Sequence, residues 1–305
     1  MRLARFAAAL ALMASLLAVF QSRAQDIEPR SYSNAPVGMN FAIAGIAYTR
    51  GALDFPDATR LTDAKFTTNA AVFAYARALD LWGMSGKFDA IVPYMDLSGT
   101  ALYQGGPIER NVGGLMDPRF RLSVNFYGAP ALDLKEFRNY RQDLIVGASL
   151  QVSAPWGQYD PSRLINIGNN RWSFKPELGV SKAVGAWTFE TKLAALVYTD
   201  NNNFFGGRHR SQDPIYSAQG NAIYGFANGV WASLDATYYA GGRSTLDGVR
   251  GDDLQQNWRV GATLSFPVDA RNSVKLYASS GVFARTGNNV DLLGVAWQHR
   301  WGGGL

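Results

Sequence analysis

The chain has 305 residues, 47% hydrophobic, 13% aromatic and 17% charged, with 32 glycines and a formal net charge of +5. The charged fraction falls below the roughly 25% usual for soluble domains, and so mild a positive charge gives no case for a nucleic-acid partner. The sequence contains no cysteine, which excludes disulfides and cysteine-ligated metals.

In chain order, the first element is a segment outside the fold. Arg2 and Arg5 precede an apolar run from Phe6 to Phe20, and Ser22-Arg23-Ala24 places small residues where a signal peptidase reads. Residues 1–24 are therefore expected to be a secretory signal cleaved after Ala24. The run is short for a membrane anchor, which needs roughly 20 apolar residues. Residues 25–37, with Pro29 and Pro36, form an N-terminal segment assigned to the periplasmic side, either folded inward or hanging below the rest.

Residues 38–305 show recurrent alternation with period two, the signature of strands with one apolar and one polar face. Trp258, Val260, Ala262, Leu264 and Phe266 alternate with Arg259, Gly261, Thr263 and Ser265. Similar runs surround Phe120–Phe126, Leu144–Val152 and Trp187–Val197. About twelve such segments of roughly 10 to 15 residues are predicted, the length of tilted membrane strands or somewhat more. They cover 38–50, 64–78, 85–97, 114–127, 140–155, 171–183, 186–199, 214–227, 229–241, 255–268, 272–285 and 290–301. Long polar links at 51–63, 98–113, 156–170, 200–213 and 242–254 alternate with short links at 79–84, 184–185, 228–229 and 269–271. The link at 128–139 is intermediate, and the one at 286–289 is short where a long one is expected.

Long loops at one rim and short turns at the other describe an all-β fold, a transmembrane antiparallel up-and-down β-barrel of about twelve strands. Closure matters physically because lipid offers no partner for an unpaired backbone group. Outer-membrane lipid is then the surrounding partner, with the barrel-assembly machinery needed for insertion. Trp172, Trp187, Trp231, Trp258, Trp297 and Trp301 fall near strand ends or on outward faces, as interfacial aromatics do.

The inward faces carry both signs of charge. Lumen-lining candidates are Arg77, Lys87, Asp89, Arg119, Arg121, Asp143, Lys175, Glu177, Glu190, Lys192, Asp235, Arg259, Lys275 and Arg285, with Arg300 at the last strand's end. So many charges imply a hydrated interior, where they pair across strands and bias what passes. Tyr75, Tyr198, Tyr239, Tyr277 and Phe283 are expected to point inward as well.

Nothing in the sequence points to an enzyme, a cofactor or a metal. The two histidines, His209 and His299, have no partner at metal-ligand spacing. An outer-membrane esterase would pair a serine with a lipid-facing histidine, and His299 with Ser265 or Ser279 is the arrangement it would use. A structural or adhesion barrel with partner-binding loops is the other alternative to transport.

Several stretches carry a family resemblance: the end of the leader through about Tyr94, Asp117-Pro118-Arg119-Phe120, Ser153-Ala154-Pro155-Trp156-Gly157 with Tyr159-Asp160, and Asn170-Arg171-Trp172-Ser173-Phe174-Lys175-Pro176-Glu177 followed by Leu178-Gly179. The chain resembles the outer-membrane transporter family named for the meta pathway of phenol degradation, over most of its length. The resemblance implies a barrel that passes small-molecule solutes of aromatic or hydrophobic character across the bacterial outer membrane. It does not imply a particular substrate.

Overall fold

A computed structural model describes residues 28–54, 61–285 and 287–305. The expected leader, 1–24, lies outside the described residues.

The wall begins with β1 (Met39–Asp54), β2 (Leu61–Leu81) and β3 (Met84–Tyr103). Next come β4 (Gly106–Leu115), β5 (Arg119–Tyr127), β6 (Leu144–Ser153), β7 (Ser173–Val184) and β8 (Trp187–Tyr198). Two short strands stand above it, β9 (Asn201–Phe204) and β10 (Arg208–Gln212). The wall resumes with β11 (Ile215–Gly225) and β12 (Trp231–Gly241), and is interrupted again by β13 (Ser244–Leu246) and β14 (Val249–Arg250). It ends with β15 (Gln255–Pro267), β16 (Asn272–Ala284) and β17 (Gly287–Gly302).

β4 and β5 share one position, because β3 pairs with β4 over Tyr94–Tyr103 and with β5 over Gly86–Ile91. The wall therefore has twelve positions. It closes where β1 runs antiparallel to β17, from Met39 opposite Gly302 to Asp54 opposite Gly287. Among the described residues every wall strand except β4 is thereby paired on both sides, and β4 is paired with β3 alone.

Burial follows the sequence alternation, inside out relative to a soluble protein. On β12, Leu234 is 69% exposed and its neighbour Asp235 only 4%, so the apolar face is the outer one. Tight turns sit at one rim. Trp82 and Gly83 between β2 and β3 both have positive φ, 59° and 82°, the conformation of a two-residue hairpin turn matched to strand twist. At the same rim, the intermediate link after β5 holds one short helix, α1 (Leu134–Phe137). Its N-terminus is capped reciprocally by Asp133 and Glu136, at 2.7 and 3.2 Å.

Two of the expected long loops are largely strand. β3 and β4 run through most of 98–113 and turn on Gln104-Gly105, both at positive φ. Likewise β1 extends to Asp54 and β2 begins at Leu61. This upper wall carries polar residues outward, such as Asp96, Ser98 and Thr100, so its polarity imitates a loop. The loops at 200–213 and 242–254 are not structureless either. They supply a small four-stranded sheet, ordered β14-β13-β10-β9, over the long-loop rim.

Candidate lumen site

Most of the charged candidates face inward. Lys87, Asp89, Arg119, Arg121, Lys175, Glu177, Glu190, Lys192, Asp235, Arg259 and Lys275 share the buried parity of their strands. Arg77 does not. On β2 the buried face is Ala64, Phe66, Thr68, Ala76 and Ala78, which puts Arg77 and Tyr75 outside. The Tyr75 hydroxyl donates to Asn40 Oδ1 at 2.6 Å, and its ring lies 6.2 Å from Trp301. Asp143 precedes β6 at the short-turn rim and pairs there with outward-facing Lys182. Arg285 follows β16 at the other rim, where it donates to Gln256 Oε1 at 3.2 Å. Phe283 is also outside, 58% exposed. A bulge lets Gly281 face Arg259 while Phe283 faces Trp258, and that one-residue slip reverses the parity of the end of β16. Arg300 lies at the rim and donates to the carbonyl of Ala270 at 2.9 Å.

The segment before β1 occupies the lumen from Glu28 onward. Tyr32 is its anchor, 2% exposed. The Tyr32 hydroxyl donates to Glu177 Oε1 at 3.0 Å, and Asn125 Nδ2 donates to its carbonyl at 3.2 Å. The ring lies on two glycines paired across strands, Gly147 and Gly179. A Cβ at Gly179 would stand 2.0 Å from the ring, so only glycine permits this seat.

Further in, Arg30 N donates to Glu190 Oε2 at 2.8 Å, and the Arg30 guanidinium lies over the Trp231 ring. Glu28 Oε2 accepts from Arg121 Nη1 at 2.6 Å, while Arg121 Nε is held by Asp89 Oδ2 at 2.9 Å. Lys192 Nζ donates to the Glu28 carbonyl at 3.0 Å and to Ser31 Oγ at 3.3 Å, and Lys87 Nζ to the Ser31 carbonyl at 3.3 Å. Burial alone would raise the Glu28 carboxyl, but Arg121, Lys87 and Lys192 outweigh it and hold the group well below the usual carboxylate range.

Above this plug lies a cavity of about 310 Å³. Glu28, Lys192, Lys175 and Glu177 border it on the polar side, and Val72, Pro93, Met95, Leu97 and Leu292 on the aliphatic side. Tyr198, Tyr239 and Tyr277 also face it, as expected from their alternation.

The loop between β6 and β7 folds inward and covers part of the cavity. Its Ile167 is buried against Met95 and Leu97. The clamp is Asp117, in the gap between β4 and β5. One carboxylate oxygen accepts from Gly157 N at 3.0 Å, and the other accepts from Asn169 N at 2.8 Å and Asn169 Nδ2 at 2.9 Å. Arg171, 3% exposed, lies 4.1 Å over the Tyr198 ring and donates to Gln212 Oε1 at 2.5 Å. Outside, Phe120, Trp156 and Trp172 pack edge to face at 6.1 and 6.3 Å. The resemblance-bearing stretches that begin at Asp117, Ser153 and Asn170 thus meet in space around one loop anchor.

On the outer surface His299 is stacked between Trp297 and Trp301, 5.8 Å from each, and its Nδ1 lies 2.9 Å from Asn272 Oδ1. Ser279 points the other way, bonded to Arg259 Nη2 at 2.6 Å, and Ser265 is buried on the inner face. The wall separates the histidine from both serines, so the arrangement an esterase would need does not form. His209 lies in the loop sheet at 3.0 Å from Asp200. Among the described residues no group of His, Asp and Glu is placed to hold a metal.

This closed, outward-apolar wall defines a barrel of the outer-membrane type. Residues 51–296 match the family described as "Putative MetA-pathway of phenol degradation", and the chain belongs to that family. Among solved structures it is similar to an outer membrane channel from Pseudomonas putida F1, with a TM-score of 0.76 and 20% identity over 90% of this chain and 100% of that one. It is more distantly similar to the transport unit of the autotransporter AIDA-I from Escherichia coli, with a TM-score of 0.52 and 10% identity over 95% of this chain and 96% of that one. No curated protein matches it by sequence.

Proposed function

We propose that this protein is an outer-membrane channel, exported by its leader, that passes small solutes of apolar and in particular aromatic character. The observation that carries the reading is the lumen cavity of about 310 Å³ with one aliphatic and one charged wall, bounded on one side by the chain's own N-terminal segment. Its size is near the lower end of small-molecule sites, roughly 300–1,000 Å³. Its walls suit a solute that is mostly apolar with a polar end. The family description adds support for an aromatic solute. An adhesion barrel would have no use for such an interior.

The test is single-channel conductance of the refolded mature protein in a planar bilayer, beside a variant lacking residues 28–37. Small, infrequent steps in the full protein and large steady steps in the shortened one are expected. A shortened variant that inserts and stays silent would reject the channel.

A further inference from the structure

We infer that Arg121, Lys87 and Lys192 form a binding site for the carboxylate of a small organic acid, which Glu28 of the plug fills in this structure. The inference rests on the channel reading and names its solute class. Glu28 stands in for the solute: its carboxylate meets Arg121 Nη1 at 2.6 Å, and it also borders the open cavity.

Three features of the site are those of a binding site rather than of a wall ion pair. Arg121 is oriented from behind by Asp89, at 2.9 Å, which leaves the other edge of the guanidinium for an incoming anion. All three lysine hydrogen bonds to the plug go to uncharged oxygens, Lys87 to the Ser31 carbonyl and Lys192 to the Glu28 carbonyl and to Ser31 Oγ. They therefore do not depend on the Glu28 side chain. Finally, withdrawing the Glu28 carboxylate takes the acceptor from Arg121 Nη1 and leaves Arg121 and Lys87 to share Asp89, while Lys192 keeps Glu177 and Glu190 nearby. Buried charge without a partner is costly, so the site draws a replacement anion. The body of that anion would extend into the cavity, beside Val72, Met95 and Leu97. An acid of about one ring fits a space of about 310 Å³.

The test is calorimetric titration of the refolded mature protein with benzoate, and with benzamide as its uncharged counterpart. In the Glu28→Gln variant, benzoate is expected to bind about tenfold more tightly than in the parent, since its competitor has lost its charge; tenfold is ~1.4 kcal/mol, within reach of one charge-assisted hydrogen bond. Benzamide should bind equally in both. Adding Arg121→Gln to Glu28→Gln should abolish the preference for benzoate. Equal benzoate affinity in parent and Glu28→Gln would overturn the inference, as would benzamide binding as well as benzoate. Glu28→Gln changes a residue outside the wall, so it gives the answer even if the Arg121 variant fails to fold. Conductance of the shortened variant without benzoate preference would leave the channel standing and remove only this site. Benzoate binding that responds to Glu28→Gln in a silent barrel would do the reverse.

Discussion

Glu28 is a half-buried carboxylate that desolvation opposes and three neighbouring cations retain. Its pKa falls from an ordinary 4.5 when the plug is seated. Deprotonation therefore favours seating. That contribution is complete above the free value, and it is lost as pH falls through and below it. Conductance is expected to stay flat from about pH 8 to about pH 5 and to rise below about pH 4. A rise centred near neutrality would mean that another group controls the plug. Tyr32 gives a second handle at this scale. Gly179→Val would drive a side chain into the ring, whose nearest atom already lies 2.0 Å from an added Cβ. Its conductance should approach that of the protein without residues 28–37. Gly220→Val is the control, because no atom lies within 4 Å of its added Cβ. Gly179 enters the sequence reading only at the end of a resemblance-bearing stretch. Its role as the seat of a ring depends on Tyr32, about 150 positions away along the chain, a separation that local patterning does not register.

At the scale of elements, the loop between β6 and β7 is held by Asp117, by Arg110, which donates to the Ile165 carbonyl at 3.1 Å, and by Gln158 N on the Leu115 carbonyl at 2.7 Å. Asp117→Ala removes the acceptors for Gly157 N, Asn169 N and Asn169 Nδ2. At about 1 kcal/mol or more for each, the loop should lose about 3 kcal/mol of anchoring. Limited proteolysis should then cut within residues 157–168 of the variant while the parent resists. Equal resistance would show that Arg110, Arg171 and Ile167 hold the loop without Asp117. Aspects of this element were readable beforehand, since Asp117-Pro118 and Ser153–Gly157 carry the family resemblance. Their convergence on one carboxylate was not. Among the strands, period-two alternation assigned the inner face of most charged candidates. It failed for Arg77, Asp143, Arg285 and Phe283. Asp143 and Arg285 lie past their strand ends, Phe283 follows a bulge, and Arg77 has outward parity near a rim, where a long cation reaches water from the apolar face.

At the scale of the molecule, the backbone ladder and the plug are separate systems. Closure rests on the seam of β1 with β17, whereas the plug is held by side-chain contacts, the Arg30 amide and a backbone bond from Val37 N to the Leu132 carbonyl at 2.8 Å, none of them part of the strand ladder. Deleting residues 28–37 should therefore leave a barrel that resists SDS without heating, as judged by its gel mobility. Loss of that resistance would mean that the plug is needed for closure.

Strand number and wall polarity are local properties. Each follows from residues a few positions apart, and the amino-acid order was enough to read them. The seat of the N-terminal segment, the loop clamp and the cation cluster around Glu28 join residues far apart in the chain, such as Lys192 with the Glu28 carbonyl, 164 positions apart, and Arg30 with Trp231. They exist only because the ring of strands brings distant inner faces across one narrow lumen, where each buried charge must find its partner.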